Sequence, residues 1–155
     1  LAVLKGFFGA ISDEPVTYVN APQLAQDHGI EVRDVNCATS ADYVNLLTLR
    51  GGEHSISGTL SGPRHEQRIV NIDGTPFDVP PADHMVVVSN DDRPGVIGTV
   101  GTILGDAAVN IADMDVARVE GSSTAVMLIA PTEQVPDETL LALREAPGIL
   151  DVKTL

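Results

Sequence analysis

Short apolar runs alternate along this chain with apolar residues spaced three or four positions apart, a pattern that predicts strands interleaved with helices. The clearest stretch is residues 84–110, HMVVVSNDDRPGVIGTVGTILGDAAVN. HMVVVS is short, β-branched and apolar, as buried strands are. After four polar residues, Pro94 stands where its fixed φ and missing N–H suit the first turn of a helix. The stretch therefore predicts a strand, a tight corner and a helix over 94–107.

The predicted helix 94–107 carries an apolar stripe and, beside it, a line of glycines. Residues that recur at steps of three and four form one face, which we expect to turn toward a sheet. Glycine inside a helix costs about 1 kcal/mol relative to alanine, so three on one line predict the close approach of another helix or strand. Their GxxGxxG spacing is not the GxGxxG of a dinucleotide-binding loop. The stripe is Val96, Ile97, Val100, Ile103, Leu104 and Ala107, and the glycines are Gly98, Gly101 and Gly105.

The rest of the C-terminal half completes a ferredoxin-like pattern. A turn sequence at 120–123 separates two strands, Pro136 opens a second helix, and Pro147-Gly148 ends it. The resulting order is βαββαβ, which is the ferredoxin-like plan. Its predicted elements are strand 84–89, helix 94–107, strand 109–118, strand 123–130, helix 136–146 and strand 148–154.

Residues 1–80 predict a hairpin-rich α+β domain. Residues 1–11 have helical spacing but no N-cap, so we expect a helix that begins upstream. Residues 16–19 and 30–36 have the composition of strands, on either side of a helix over 20–29. The fold class predicted for the whole chain is therefore α+β.

Two hairpins and one linker organise the middle of the chain. YVNLLTLR and HSISGTL are joined by the turn sequence RGGE, and QRIVNI and TPFDV by Asp73-Gly74, a strong hairpin dipeptide. Pro80-Pro81 is typical of a semi-rigid spacer. We therefore predict two domains, 1–80, truncated at its N-terminus, and 84–155, and expect residues 82–155 to fold alone.

The acidic composition narrows the range of partners. A net charge of −13 disfavours nucleic acid and anionic membranes. The sequence has no apolar run of 18 residues and no signal peptide, which predicts a cytoplasmic protein. Because it begins at Leu1, we expect a fragment or a processed chain. Cys37, the single cysteine, excludes an internal disulfide and any multi-cysteine metal site, and is predicted to be a half-buried core thiol.

Catalytic groups are scarce in the sequence. It contains no GxSxG, HExxH, P-loop or GxGxxG motif. The histidines stand at no metal-ligand spacing from one another and are expected at the surface. We therefore predict no catalytic residue, no metal site and no cofactor in this segment. The four histidines are His28, His54, His65 and His84.

The corner after strand 84–89 carries the chemistry that an amino acid requires. The positive end of a helix and its free N–H groups can hold a carboxylate, and Asp92 can hold an ammonium. The alternative for Asp92, shared with Asp91, is that it caps the helix. The sequence alone leaves both interpretations open.

Two long resemblances give these patterns a family. NDDRPGVIGTVGTILGDAAVNI, MDVARVEGSSTAVMLIA and VPDETLLALREAPGILDVKTL resemble an ACT domain over about residues 84–155. EPVTYVNAPQLAQDHGI, SGTLSGP and QRIVNIDGTPFDVP resemble the intervening domain of long-form bacterial D-3-phosphoglycerate dehydrogenases. The resemblance implies the regulatory C-terminal part of an enzyme that oxidises 3-phosphoglycerate with NAD at the entry to serine synthesis. Without the catalytic domains, we expect this segment to be inactive.

The resemblance also implies an effector site for L-serine or a related small amino acid. Serine-sensitive relatives place contacts at positions matching Asn90, Asp92 and Asn110, often with a histidine where Asn90 stands. A helix of about a dozen residues separates Asp92 from Asn110 by roughly 18 Å. A shared ligand therefore implies two subunits, as a homodimer through ACT domains or a tetramer. The predicted effector-binding residues are Asn90, Asp92, Arg93, Pro94, Gly95, Val96, Ile97, Asn110 and Ile111.

Residues 63–68, PRHEQR, form a second candidate site. Arg64, His65 and Arg68 could hold phosphate or a phosphorylated acid. Arg68 also matches a basic position in relatives that bind anions in the intervening domain. The alternative is a solvated turn with ion pairs to Glu66 and Asp73.

Three functions stay open at this point. The first is a module that senses serine or another small amino acid. The second is a structural oligomerisation module without an effector, which Asn90 favours because it replaces a histidine. The third is part of an amino-acid deaminase with a similar intervening domain, which is disfavoured because iron–sulfur forms of that enzyme need several cysteines.

Overall fold

The computed structural model describes residues 1–36 and 42–155 of the chain. This part contains four helices and eight strands, joined by turns and loops. The chain divides into two units, Leu1–Thr39 and Ser40–Leu155. Cys37, predicted to be a core thiol, lies outside the described residues.

The first unit contains two helices, α1 (Ala2–Ile11) and α2 (Ala21–Asp27). Both were predicted from their apolar spacing and, for α2, from the Asn-Ala-Pro start. Their buried side chains are Phe8 on α1 and two alanines on α2. The Phe8 ring also lies against the His28 ring, with centroids 5.4 Å apart.

The two strands predicted in this unit, at 16–19 and 30–36, are wrong. The Asn20 side chain accepts a hydrogen bond from the Thr17 N–H at 2.7 Å and donates one to the Pro15 carbonyl at 3.1 Å. These bonds close a turn instead of a strand and leave Val19 89% exposed. Residues 30–36 are irregular. A strand requires a ladder partner, and neither segment has one within the described residues.

The second unit begins with an antiparallel sheet of four strands in the order β1-β2-β3-β4. Both predicted hairpins are confirmed. In the second, Asp73 and Gly74 have φ of 49° and 84°, which is the left-handed pair that a type I′ turn requires. The strands are β1 (Leu47–Gly51), β2 (His54–Ser61), β3 (Glu66–Ile72) and β4 (Thr75–Val79).

Asp73 makes the stability of this hairpin depend on pH. Its Oδ1 accepts a hydrogen bond from the Ser55 N–H at 2.6 Å, and its Oδ2 lies 2.9 Å from His54 Nδ1. These contacts, the Ser55 backbone first, hold the pKa of Asp73 below its usual value. Such a carboxyl stabilises the fold above its unfolded-state pKa of about 3.9, and the contribution is lost as the pH falls through the folded-state pKa.

Asp73→Asn is therefore expected to reduce the loss of stability below about pH 4. Asparagine tolerates the same left-handed φ and keeps an oxygen for the Ser55 N–H, so the turn itself is retained. Urea unfolding over a series of pH values measures the effect. His54→Ala keeps the carboxyl and its main hydrogen bond and should retain part of the acid sensitivity. Identical pH profiles for Asp73→Asn and wild type would contradict this assignment.

The C-terminal half forms a second antiparallel sheet in the order β6-β7-β5-β8, with two helices. This order gives the predicted βαββαβ ferredoxin-like fold, which is confirmed, and the α+β class with it. Strands β6 and β8 are the edges of the sheet. The elements are β5 (Val86–Asn90), α3 (Val96–Asp106), β6 (Ile111–Arg118), β7 (Ala125–Pro131), α4 (Asp137–Glu145) and β8 (Ile149–Thr154).

Both faces of the second sheet are covered. One face packs on α3 and α4, where Val88, Met127 and Leu143 belong to one buried cluster. The other face packs on the first sheet, where Leu128 shares a cluster with Phe77 and other side chains of β3 and β4. The second unit is therefore a stack of helices, sheet and sheet, and residues 80–85 connect its two sheets. The division into domains 1–80 and 84–155 stays a prediction, but the two sheets share one core.

The apolar stripe of α3 is confirmed only in part. Val96, Val100 and Leu104 are buried, and Ile103 and Ala107 lie at the edge of the core, whereas Ile97 is 49% exposed. Within residues 1–36 and 42–155 nothing packs closely on the glycine line, because a Cβ at any of its positions would meet open space. The close approach of another helix or strand therefore stays a prediction. These glycines are Gly98, Gly101 and Gly105.

Candidate functional site

The corner between β5 and α3 is shaped by Asn90. This side chain is 2% exposed. Its Oδ1 accepts a hydrogen bond from the Asp92 N–H at 3.0 Å, and its Nδ2 donates to the Ala125 carbonyl at 3.1 Å. Asn90 therefore uses both polar atoms of its amide to tie the corner to β7.

Asp92 faces a cation and not the helix. Its Oδ2 lies 2.7 Å from Arg118 Nε, and its own backbone is left-handed, with φ of 47°. The N-cap of α3 is Gly95, and no side chain caps this end. The capping interpretation of Asp92 is thus wrong, and its carboxylate binds a positive charge instead.

Strand register explains how Arg118 reaches a corner 26 residues earlier in the sequence. Arg118 on β6 pairs with Ala125 on β7, and Ala125 pairs with Asn90 on β5. The three residues form one row across the sheet, and directly paired residues point to the same face. Because Ala125 carries only a methyl group, the long Arg118 side chain can cross it to Asp92. No sequence pattern points to Arg118, because this row depends on the pairing of distant strands.

A second contact, between Asp91 and Gly148, also holds the corner in place. The Asp91 N–H donates to the Gly148 carbonyl at 3.0 Å, and Asp91 Oδ2 lies 2.5 Å from Arg93 Nε. Gly148 has φ of 89°, and a Cβ there would lie 2.8 Å from Asp91 Oδ1 and 2.9 Å from Val96 Cγ2. Glycine is therefore required at this position. The sequence predicted Gly148 only as the end of a helix.

Asn110, the other predicted polar contact, lies far from Asp92. Its carbonyl accepts a hydrogen bond from the Thr132 N–H at 2.9 Å, at the start of β6. Arg118, whose side chain contacts Asp92, lies at the other end of this strand, roughly 25 Å from Asn110 at about 3.3 Å per residue. The structure brings Asn90, Asp92 and Arg93 together in one corner but leaves Asn110 and Ile111 at the opposite end of β6.

The remaining predicted contacts divide between core and surface. The Val96 side chain is part of the buried core. Ile97, Pro94 and Gly95 are exposed beside the first turn of α3. Whatever binds at this corner therefore meets the backbone of residues 94–97 and the side chain of Ile97.

The second candidate site, around residues 64–68, contains its own counter-ions. Arg64 Nη2 lies 2.8 Å from Glu66 Oε1, and Arg68 Nη2 lies 3.7 Å from Glu66 Oε2. Arg68 also lies 3.7 Å from Asp78, while Asp73 pairs with His54 and not with either arginine. Glu66 thus lies between the two arginines, as the ion-pair alternative requires.

Arg68 and His65 also line a groove with a volume of about 730 Å³ on the first sheet. Its other lining residues are mostly apolar, among them leucines of β1 and β2. Binding of an anion by Arg64, His65 and Arg68 stays a prediction.

Residues 1–36 and 42–155 contain neither a cluster of metal-ligating side chains nor a membrane-spanning helix. No group of three or more histidine, cysteine, aspartate or glutamate residues is placed to hold a metal ion. No helix in this part of the chain is long and apolar enough to cross a membrane.

Comparison with known proteins gives two family matches in sequence order. Residues 1–73 match the family model of the D-3-phosphoglycerate dehydrogenase intervening domain, and residues 84–148 match that of the ACT domain. The first match ends in the turn between β3 and β4, and the second begins within the segment that connects the two sheets.

Whole-length relatives agree with both family models. The chain is 36% identical over 159 residues to a D-3-phosphoglycerate dehydrogenase of Synechocystis, covering 100% of this chain and 28% of the relative. It is 33% identical to the enzymes of that name from Mycobacterium bovis, over 94% of this chain and 29% of the relative, and Bacillus subtilis, over 99% and 30%. The chain thus spans less than a third of the length of the curated relatives it matches.

Proposed function

Because this chain is a regulatory portion of the D-3-phosphoglycerate dehydrogenase type, an intervening domain followed by an ACT domain, we propose that it binds L-serine or a related small amino acid where two ACT domains meet. The parent protein is then an NAD-dependent dehydrogenase acting on 3-phosphoglycerate in serine biosynthesis. This portion contributes allosteric regulation and oligomerisation rather than the chemical step.

The observation that carries the proposal is the free use of Asp92. Its carboxylate takes no part in capping α3 and is paired with a guanidinium at 2.7 Å. A carboxylate that binds this cation at the protein surface can bind the ammonium of an amino acid in its place. The first turn of α3, without a side-chain cap, offers backbone N–H groups and a positive helix end to the ligand carboxylate.

The interface part of the proposal follows from strand β6. Asp92 and Asn110 lie at opposite ends of this strand, so one small ligand cannot touch both within a single chain. Two β6 edges paired antiparallel about Met114 would set Asn110 of one subunit beside Arg118 and Asp92 of the other. In that arrangement, the exposed glycine line of α3 would let the helices of two subunits approach closely.

Pairing of two β6 edges would break hydrogen bonds that each edge makes with its own side chains. The Met114 N–H donates to Asp113 Oδ1 and the Val116 N–H to Asp115 Oδ1, both at 2.8 Å. A partner strand must replace these carboxylates with its own carbonyls, and four aspartates then meet at the interface. Charged residues on an edge strand oppose edge-to-edge pairing. Salt screens their repulsion, so the dimer is best studied at elevated ionic strength.

Calorimetric titration of the chain with L-serine tests the proposal. We expect wild type to bind and Asp92→Asn to bind about tenfold to a hundredfold more weakly, because the amide oxygen can still accept a hydrogen bond but no longer carries the charge that pairs with the ammonium. Asp106→Asn makes the same change at the far end of α3 and should bind as wild type does. Equal affinities for Asp92→Asn and wild type would rule out Asp92 as the ammonium partner.

The alternative is a structural oligomerisation module without an effector. It is favoured by Asn90, whose amide is buried and bonded at both polar atoms within the chain, which leaves it little accessible to a ligand. This alternative gives a stable dimer that releases no heat with serine or other small amino acids. The same titration, with the dimer verified by sedimentation, separates the two functions.

A further inference from the structure

Resting on the proposed function, we propose that Arg118 lies where the ammonium of a ligand would meet Asp92 and selects ligands that carry both an ammonium and a carboxylate. A zwitterionic amino acid would exchange one ion pair for two. Its ammonium replaces the guanidinium on Asp92, and its carboxylate takes the released guanidinium of Arg118.

The geometry at Asp92 carries the first step of this inference. Arg118 Nε lies within hydrogen-bond distance of the oxygen that would receive an ammonium. The single negative charge of Asp92 is thus already balanced. A ligand with only an ammonium would leave the guanidinium without a partner, and charge balance therefore disfavours simple amines.

Arg118 is also able to move and to bind again. Its side chain is 81% exposed, so leaving Asp92 uncovers no apolar core. The contact uses Nε, and the two Nη groups carry further donors in the planar fork that matches a carboxylate. One end of the site is thus a fixed carboxylate and the other a guanidinium on a flexible stem.

Arg93, the second arginine of the corner, is less free than Arg118 to bind a ligand carboxylate. Arg93 pairs with Asp91, whose backbone is held by Gly148 and whose side chain lies against the same glycine. Its ion pair therefore belongs to the framework of the corner. Arg118 is the arginine that contacts the proposed ligand-binding carboxylate directly.

Strand β6 links this exchange to the second subunit. In the antiparallel arrangement about Met114, Arg118 of one subunit lies opposite Asn110 of its partner. A ligand carboxylate bound by Arg118 would then lie where the partner's amide can donate to it. Arg118 is accordingly a specificity-determining residue at the interface as well as at the corner.

The test compares three ligands on wild type, Arg118→Gln and Arg118→Lys by titration calorimetry. The ligands are L-serine, ethanolamine, which lacks the carboxylate, and 3-hydroxypropionate, which lacks the ammonium. Wild type is expected to prefer serine to each by about a hundredfold or more, since each analogue leaves one charge unpaired. Arg118→Gln should bind serine about tenfold more weakly and ethanolamine more tightly, whereas Arg118→Lys should keep part of the preference.

Arg33→Gln makes the same change at an arginine that is 80% exposed and paired with Glu31, outside every candidate site, and should leave all three affinities unchanged. Arg118→Gln that binds serine and ethanolamine as wild type does would overturn the inference alone. Tighter serine binding by Arg118→Gln would overturn it as well, because Arg118 would then only compete. A wild-type dimer that binds no amino acid would overturn the proposed function and this inference with it.

Discussion

Leu128→Ala is expected to lower the free energy of unfolding of this chain by about 2–5 kcal/mol, the range for leucine-to-alanine changes in a packed core. Leu128 lies in β7 with no exposed surface, on the face that meets the first sheet. Its neighbours in the buried cluster include Phe77 and Val79 of β4. The truncation would open a cavity between two sheets, where the backbone on either side is held by ladders and cannot collapse easily.

Urea unfolding followed by circular dichroism measures this loss. Leu141→Ala removes the same atoms from a side chain of α4 that is 53% exposed and should cost less than about 1 kcal/mol. Equal losses for the two variants would mean that the first sheet does not cover this face.

The same packing changes our expectation for residues 82–155 alone. Without the first sheet they would expose Leu128, Ala130 and Met85, so we now expect that piece to aggregate or self-associate.

The sequence contained a sign of this covered face. The run AVMLIA in β7 is apolar at six successive positions. A sheet with helices on one face and water on the other alternates apolar and polar residues, whereas a sheet covered on both faces does not. The run predicts the strand itself, and its second apolar face requires a cover, which the preceding hairpin of β3 and β4 supplies.

Turns and the order of helices and strands, which depend on neighbouring residues, were predicted most accurately. The Asp73-Gly74 turn is determined by two adjacent residues that accept a left-handed backbone, and the structure confirms it. The order βαββαβ followed in the same way from periodicity and from the proline and glycine positions. Such signals lie within a few residues of the elements they define.

Predictions failed where distant or side-chain contacts determine the structure. Residues 16–19 have strand composition, yet one amide, that of Asn20, closes them into a turn. The Arg118 contact with Asp92 depends on the register of three strands, and the requirement for Gly148 depends on a loop more than fifty residues earlier in the chain. Composition and spacing carry no information on such pairs. The sequence leaves the ammonium and capping roles of Asp92 open, the resemblance favours the first, and the structure excludes capping.

Mixed dimers are expected to bind serine where each parent variant does not. Asp92→Ala and Asn110→Ala should each abolish binding as homodimers, because every site then lacks one of its two contacts. A dimer with one subunit of each variant, isolated with two affinity tags, should bind one serine. Its single intact site joins Asp92 of the second variant to Asn110 of the first. This result follows only if the two contacts come from different subunits.

The reciprocal mixture distinguishes sites shared between subunits from sites within one subunit. Wild type paired with the double variant Asp92→Ala, Asn110→Ala has one complete subunit, but each of its shared sites lacks one contact. Sites shared between subunits therefore predict no binding, whereas sites within one subunit predict one serine per dimer. The two mixtures exchange their outcomes between these arrangements, so a loss of folding or a weak dimer cannot imitate either result. Elevated salt keeps Asp113 and Asp115 of the two edges from driving the subunits apart during the exchange. Binding by the second mixture and not the first would place the whole site in one chain and remove the reason for an antiparallel β6 interface.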